Sequence, residues 1–446
     1  MNGRKIVVVL LGISLLLGTV SCSQAEPKKE KVTIYLRNYA DHMGVFSADE
    51  PNADYDSMTE YMAEKFVRQY DKYDVEIKTE YFALEDEPKF VEEKYGHPDA
   101  TDVVLQDAFV NLGHIYEGRL IPLDDVVPDS IRTSMGPEFE RLYQIGGKCY
   151  NLPYGRLPTV FLYNAELFRK AGLDEYIADQ NEISDWSVDE WNEILAGLKE
   201  NLPPNIYPMM MYGADTNGDM VNMMLLRMYG NSFFDENGNC CLDDENGIRA
   251  LQWIKDNQDK GYYPVGAENI GLMDCFELYC NDQLAIYFGN NVILPMITNP
   301  DVDSRYALYP SSEGKGMSFD FTYTFGVFDN GDKKRMEVSK DFLRFVYSDE
   351  ELLSLCSYAG ELPAVSSEAS QYTKDIPMWE QWLDIQDTRV DFTNHSPNYP
   401  GIREVFYPEI TSMLSGDKTP EETAQDLEEK INLALERGRV EGTLHE

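Results

Sequence analysis

The amino-acid sequence predicts an α/β protein with two lobes. The chain has 446 residues, more than one hydrophobic core usually serves, so two folded units are expected. Apolar and polar residues alternate at 32–36 and again at 75–81, which is typical of half-buried strands. Between them, Met58, Met62 and Phe66 recur every four residues and predict the apolar face of a helix. Strands that alternate with helices predict parallel pairing, with helices on both faces of the sheet.

The middle of the chain carries the clearest helix signal. Ser187 and Glu190 are spaced as a capping box, in which both side chains accept hydrogen bonds from free backbone amides at the helix start. Trp186 and Trp191 stand at the two hydrophobic staple positions around it, so we interpret both as structural. Other predicted elements are strands over 102–105, 284–288 and 323–328, and helices over 246–259, over 338–347 and from Thr419.

The amino terminus predicts an export signal. Arg4 and Lys5 precede an apolar run over 6–17, which is too short to span about 30 Å of bilayer. Residues 19–22 resemble a bacterial lipobox, whose cysteine is lipidated and becomes the new first residue, although a threonine stands where leucine is usual. We therefore predict a lipoprotein signal peptide over 1–22 that ends at Cys22, and a polar tether over 23–31. An ordinary secretory signal with an incidental Cys22 is the alternative.

The charge balance argues against nucleic acid as a partner. The chain has 38 basic and 79 acidic residues, a net charge of −41. A field of this sign repels phosphate backbones and anionic lipid headgroups, so membrane contact is expected through the lipid anchor only. Solubility at a crowded cell surface explains the acidic excess.

The sequence predicts neither a metal site nor a cofactor. The six cysteines after Cys22 include no CxxC pair and have no histidine at zinc spacing, so we interpret them as small buried residues. Disulfides in an exported chain are the alternative, although the adjacent Cys240 and Cys241 rarely bond to each other. Residues 215–219 and 235–239 faintly resemble calcium loops, but the glycine is at the fourth position and no glutamate occupies the twelfth.

Several short motifs follow one another along the chain. They are Asp-Val-Val at 102–104, Gly-x-Leu-x-Pro-Leu-Asp at 118–124, Gly-Lys-Cys-Tyr-Asn-Leu-Pro at 147–153, Leu-Tyr-Asn-Ala-Glu-Leu-Phe-Arg-Lys-Ala-Gly-Leu at 162–173, the helix start at Trp186, and Gly-Glu-Leu-Pro-Ala at 360–364. In this order they resemble family 1 extracellular solute-binding proteins, the sugar-binding group of bacterial ABC importers. The resemblance covers nearly all of the chain after the signal peptide.

The resemblance implies a periplasmic-binding-protein-like type II fold, with two α/β lobes, a cleft and multiple crossovers. Lobe 1 is expected over 32–154 plus 311–358, and lobe 2 over 155–310 plus 359–446. It also implies an extracytoplasmic monomer, anchored to the cell membrane through Cys22, that is not an enzyme. Such a protein captures a small solute, here expected to be a mono- or oligosaccharide, by lobe closure and delivers it to the permease subunits of an ABC importer.

Ligand contacts are expected in loops just past strand ends and at the crossovers. Sugars present hydroxyl groups to charged and amide side chains, and C–H faces to aromatic rings. Asp107 and Phe109 follow the strand over 102–105 and are the best candidates, although Asp107 capping the next helix is an alternative. Arg156 lies at the expected first crossover, and Asn291 stands where similar relatives often carry a stacking tryptophan. The remaining candidates, for which packing or solvation is equally compatible, are Arg37, Asn38, Asp219, Asn222, Tyr323, Tyr399 and Arg403.

Two other functions stay open. A lipoprotein of the same fold could bind a peptide or a polyamine, or serve a sensor, because the fold alone does not determine the ligand. A surface glycoside hydrolase would need two convergent carboxylates on a barrel or similar scaffold. The pattern of elements does not supply the eight strand–helix units of such a barrel, which argues against the hydrolase.

Overall fold

The computed structural model describes residues 29–39, 55–82, 87–135, 139, 143–214, 219–364, 376–393 and 396–443. The predicted signal peptide, with Cys22, and most of the tether lie outside the described residues. The strands are Lys31–Asn38 (β1), Asp74–Tyr81 (β2), Val103–Asp107 (β3), Gln144–Ile145 (β4), Lys148–Cys149 (β5), Leu152–Asn164 (β6), Ile183–Ser184 (β7), Ile286–Gly289 (β8), Ser304–Ala307 (β9), Phe319–Val327 (β10) and Leu362–Pro363 (β11).

The helices are Tyr55–Gln69 (α1), Glu87–Lys94 (α2), Ala108–Tyr116 (α3), Asp129–Met135 (α4), Ala165–Lys170 (α5), Val188–Asn201 (α6), Asp219–Leu225 (α7), Glu245–Asp259 (α8), Leu272–Cys280 (α9), Lys333–Tyr347 (α10), Glu350–Ser354 (α11), Trp379–Asp384 (α12), Tyr399–Ser415 (α13) and Pro420–Thr443 (α14). Within the described ranges, none of these helices combines the length and apolar character needed to cross a bilayer.

The α/β prediction is confirmed. Strands β1, β2 and β3 pair in parallel, as expected for strands joined through helices α1 and α2. The main sheet continues in the order β2-β1-β3-β10-β6-β9-β7, and β8 and β11 also pair with β6. Strand β10 runs antiparallel to both of its neighbours.

One long strand connects two groups of strands. All thirteen residues of β6 are buried. Its first part pairs with β10 and β11, while its last part, from Val160 to Asn164, pairs with β8 and β9. The chain therefore passes from one strand group to the other within β6 itself, without a linker.

The described residues pack into three hydrophobic cores. Val103 and Leu105 of β3 lie in one core, and Val104 between them lies in a second, as the alternation of side chains across a strand requires. The third and largest core surrounds the end of β6 and includes Phe161 and Trp191. Phe109 belongs to this third core, although it follows β3 directly.

Local capping explains several element boundaries. The Ser187–Glu190 capping box is present at the start of α6. Trp186 donates from Nε1 to the carbonyl of Tyr176 and packs edge-to-face on Trp191, so the structural interpretation of both tryptophans is confirmed. Helix α10 begins five residues before the predicted start, because Asp332 accepts hydrogen bonds from its first turn.

Two strands begin two or more residues away from their predicted start. The strand predicted over 323–328 begins at Phe319. The prediction missed its first half because polar and aromatic residues alternate there instead of forming an apolar run. The strand predicted over 284–288 starts at Ile286, and Leu284 before it forms an isolated bridge with Tyr207.

Candidate ligand-binding cleft

Three of the predicted residues form one buried cluster. Asp219 is the first residue of α7, and Tyr399 and Arg403 lie one turn apart in α13. The Tyr399 hydroxyl donates to Oδ2 of Asp219 at 2.7 Å, and Nε of Arg403 lies 3.2 Å from the same oxygen. Burial raises the pKa of Asp219, while the positive charge of Arg403 and the Tyr399 hydroxyl act in the opposite direction. The cluster is a carboxylate held between a phenol and a guanidinium group.

An aromatic wall links this cluster to α3. The ring centroid of Phe109 lies 5.4 Å from that of Tyr399 and 6.3 Å from that of Phe392. The guanidinium carbon of Arg403 lies 5.7 Å from the Phe109 ring centroid, within the range of a cation–π interaction. Phe109 thereby brings the β3–α3 junction against α13.

Asp107 ends β3 beside this wall. It occupies the N-cap position of α3, but its side chain makes no capping hydrogen bond there, so helix capping does not explain this residue. The pKa of Arg403 is raised: burial would lower it, but the charges around it outweigh burial, with Asp219 acting most strongly and Asp107 also contributing. Asp107 is thus electrostatically coupled to the cluster.

A second cluster lies where β6 pairs with β10. Asp320 of β10 lies 3.3 Å from Nη1 of Arg156 on β6 and accepts a hydrogen bond of 2.9 Å from Nη1 of Arg389. The Asp320 side chain is only 8% exposed. One carboxylate therefore serves two guanidinium groups.

The aromatic wall and strand β10 line one cavity. Its volume is about 60 Å³, and its lining includes Phe109, Tyr143, Asp320, Arg389 and Phe392. Burial raises the pKa of Tyr143, while the nearby guanidinium groups lower it. A ring, a phenol, a carboxylate and a guanidinium group thus face one space.

Of the predicted residues, only Phe109 lines this cavity itself; Tyr399 and Arg403 contact Phe109, and Arg156 contacts Asp320. Arg37 donates to Glu80, to Thr101 and to the carbonyl of Asp99, which ties β1 to its surroundings. Its neighbour Asn38 is buried at the end of β1.

Asn291 and Tyr323 also lie elsewhere. Oδ1 of Asn291 accepts a hydrogen bond from Nε1 of Trp382 at 3.1 Å, and the Trp382 ring packs edge-to-face on Tyr306. Tyr323 pairs with Asp107 in the sheet and packs in the core beneath β3. Asn222 is buried one turn after Asp219, and among the described residues its amide nitrogen finds no hydrogen-bond acceptor.

Nine of the ten residues that line the cavity were not predicted as ligand contacts, and four of them show why. Asp320 and Thr322 alternate with aromatic residues in β10, a period of two that places them on the face opposite Tyr323. That alternation was visible in the sequence. Arg389 and Phe392 lie in an irregular segment after α12, and no periodicity or motif marks them.

The titratable groups offer no metal chemistry within the described part of the chain. No group of three histidine, cysteine or acidic side chains there could hold a metal ion. The six cysteines after Cys22 are free; four of them are buried, as interpreted from the sequence, whereas Cys241 and Cys280 are partly exposed.

Sequence and structure comparisons place the chain in a family. The model of the family described as "Bacterial extracellular solute-binding protein" matches residues 53–352. An arabinooligosaccharide-binding protein of Bacillus subtilis (strain 168) is 26% identical over 268 residues, which cover 57% of this chain and 57% of the relative. One from Halalkalibacterium halodurans is 28% identical over 163 residues, 36% of this chain and 33% of the relative. The chain therefore spans only about half or a third of these curated relatives.

Solved structures share the fold. Maltose-bound MalE3 of T. maritima matches with a TM-score of 0.68 at 15% identity, over 90% of this chain and 99% of that one. The GacH receptor of Streptomyces glaucescens GLA.O matches with a TM-score of 0.70 at 18% identity, over 92% and 99% of the two chains. The protein has a periplasmic-binding-protein-like fold and belongs to the bacterial extracellular solute-binding protein family.

Proposed function

We propose that this protein captures a mono- or oligosaccharide by lobe closure and delivers it to the permease of an ABC importer. The convergence of an aromatic ring from α3 with charged side chains from α13 and β10 is the observation that carries this proposal. A sugar ring presents an apolar face to a phenylalanine and hydroxyl groups to carboxylates and guanidinium groups. Phe109, Asp107 and Arg156 are the contacts we consider most important.

The relatives support a carbohydrate as the ligand class. Two curated relatives are named for arabinooligosaccharides, and the two structural neighbours bind maltose and acarbose. A peptide, a polyamine or a sensor role remains the alternative, because a shared fold does not determine the ligand.

Lobe movement is the mechanism we propose. A cavity of about 60 Å³ is several times smaller than the roughly 300–1,000 Å³ of typical ligand pockets, so a sugar would enter only after the walls move apart. Ligand would then stabilise the closed state by the difference of its affinities for the two states. We assign lobe 1 to 32–154 plus 311–358 and lobe 2 to 155–310 plus 359–446, so that the chain crosses between the lobes within β6 and again near residues 310 and 358.

The location we propose is the outer face of the cell membrane. The family is extracellular, and the basic and apolar segment before Cys22 supports export and lipidation of that cysteine. The protein would act there as a monomer beside the permease.

A thermal-shift screen tests the ligand class. The protein is incubated with arabino- and maltooligosaccharides, neutral monosaccharides, peptides and polyamines. A true ligand at a hundredfold excess over its dissociation constant stabilises the fold by about 2.7 kcal/mol. Stabilisation by a sugar that is recovered chemically unchanged supports the proposal. Stabilisation by peptides or polyamines alone would favour the alternative, and steady release of cleaved sugar would contradict a pure binding role.

A further inference from the structure

A wide groove adjoins the cavity on the outside of the Arg389–Val390 segment. Its volume is about 510 Å³, within the range of roughly 300–1,000 Å³ typical of small-molecule sites. Arg389 and Val390 line both the groove and the cavity. One extended ligand could therefore contact both spaces across this two-residue segment.

The groove contains a buried arginine that has no ion-pair partner among the described residues. Arg227 is 5% exposed and lines the groove. Its Nη1 donates to the carbonyl of Met223 at 2.9 Å, and its guanidinium carbon lies 4.9 Å from the Phe233 ring centroid. The described residues provide Arg227 with no ion pair and with no acceptor for its other two nitrogens. Burial lowers the pKa of Arg227 to about 10, so the side chain still carries its charge at neutral pH.

The other charges around the groove form no ion pair with Arg227. Lys315 forms an ion pair of 2.8 Å with Asp387, and Arg389 is bonded to Asp320. Asp391 acts on Arg227 through space, but the two side chains form no ion pair. Glu313, the remaining acid of the lining, is exposed, so water screens its charge. The groove thus retains one buried positive charge.

A carboxylate is the chemical complement of this site. A buried charge is costly unless it is paired and hydrogen-bonded, and a guanidinium group matches a carboxylate through two parallel N–H donors. We propose that the groove binds an acidic sugar unit, a hexuronate, belonging to an oligosaccharide whose chain continues over Arg389 and Val390 into the cavity. This inference rests on the proposed capture of sugars and specifies their class.

The contact between groove and cavity favours a sugar-linked carboxylate over a free anion. A free anion would need the groove alone, whereas a ligand passing over Arg389 and Val390 uses both spaces. The two sources are distinguished by comparing an acidic oligosaccharide with the acidic monosaccharide alone.

Isothermal titration calorimetry on the full chain tests the inference. The probes are trigalacturonate, neutral arabinotriose and maltotriose, and galacturonate alone. The wild type is expected to bind trigalacturonate at least about tenfold more tightly than either neutral trisaccharide, the scale expected for hydrogen bonds to a charged group. Equal or weaker binding of trigalacturonate would overturn the inference, and so would galacturonate alone binding as tightly as the trisaccharide.

Variants distinguish ligand contact from structural support. Arg227→Gln is expected to weaken trigalacturonate binding at least about tenfold and to leave a neutral trisaccharide within about twofold. Arg227→Lys keeps the positive charge but lacks the two parallel N–H donors, so it should give an intermediate loss of trigalacturonate affinity. This variant keeps the test available if Arg227→Gln does not fold. Arg249→Gln is the matched control, because Arg249 stacks on Tyr229 in the same half of the chain outside the groove.

The outcomes separate this inference from the proposed function. Parallel weakening of acidic and neutral probes by Arg227→Gln would assign Arg227 a structural role and overturn the inference. Tight binding of neutral trisaccharides without any acidic preference would overturn it while leaving sugar capture intact. Binding of no saccharide, acidic or neutral, would overturn both.

Discussion

The Tyr399 hydroxyl donates a hydrogen bond of 2.7 Å to Asp219 across 180 positions of the sequence. The bond joins the start of α7 to the start of α13, and Arg403 contacts the same carboxylate from the next turn of α13. This cluster of Asp219, Tyr399 and Arg403 therefore exists only when the two distant segments are packed together.

Removing the Tyr399 hydroxyl should destabilise the fold. In Tyr399→Phe the buried Asp219 carboxylate loses a donor, and hydrogen bonds to charged groups contribute about 1.5–3 kcal/mol. We expect a loss of about that size in the free energy of unfolding, measured by urea denaturation. Tyr262→Phe is the control, because Tyr262 is half-buried and its hydroxyl makes no hydrogen bond within the described chain. Equal losses in the two variants would contradict the prediction.

Asp219 should also make stability depend on pH. Burial raises its pKa in the folded state above the ordinary value of 3.8, so the folded protein holds this proton more tightly than the unfolded chain. The stabilisation of the fold by protonated Asp219 is fully present below pH 3.8 and is lost as pH rises through the pKa of Asp219 in the folded state. Relative to Asp219→Asn, the wild type should therefore lose stability between about pH 3.5 and neutrality, in urea denaturation at several pH values. A difference that stays constant, or grows in favour of the wild type, would refute this assignment.

The sequence predicted most of the fold because its elements carry local signals. The capping box at Ser187 and the stripe from Met58 to Phe66 are patterns of three to four residues, set by helix geometry. Strands β1 and β3 follow from alternation and apolar character in the same way. Such signals need no knowledge of distant residues.

The cleft was predicted only in part because its contacts are not local. Phe109, Asp219, Tyr399 and Arg403 were predicted and do converge, whereas Arg37 donates to Glu80, Thr101 and Asp99 instead. Tyr323 lies on the predicted strand and packs in a core, whereas its neighbour Thr322 lines the cavity, because side chains alternate along a strand. Arg389 lies in an irregular segment, where only the folded chain reveals its partner Asp320.

Asp320 and its two arginine partners should respond differently to mutation. Asp320→Ala leaves both Arg156 and Arg389 without the carboxylate, and breaking a buried pair in this way costs about 3–5 kcal/mol. Arg156→Met leaves Asp320 bonded to Arg389, so the loss should be clearly smaller. Urea denaturation of the two variants measures the difference. A larger loss in Arg156→Met than in Asp320→Ala would contradict the shared-carboxylate arrangement.

The cysteines should resist modification in the native protein. Burial raises the pKa of Cys149 to about 12 and that of Cys356 well above its usual value, so few thiolates are available near neutrality. We expect the four buried thiols to react with Ellman's reagent only after denaturation, and Cys241 and Cys280, which are partly exposed, to react first. Identical mobility on reducing and non-reducing gels is the accompanying expectation. A mobility difference would reveal a disulfide and contradict the free thiols.

Phe109 should control how the two halves of the cleft meet. Its ring contacts Tyr399, Phe392 and Arg403, and each aromatic pair contributes about 0.5–1.5 kcal/mol beyond the burial of area. A loss of about 1.4 kcal/mol from the closed arrangement changes its population ratio to the open one about tenfold. We therefore expect Phe109→Ala to increase the radius of gyration of the unliganded protein in small-angle scattering and to weaken sugar binding. Leu112→Ala is the control, because Leu112 is buried on the same helix but packs in the small core on the other face of the sheet. Both truncations should cost about 2–5 kcal/mol of stability, so a thermal melt alone does not separate them. If the radius of gyration and the sugar affinity change equally in the two variants, Phe109 is a core residue and does not hold the cleft closed.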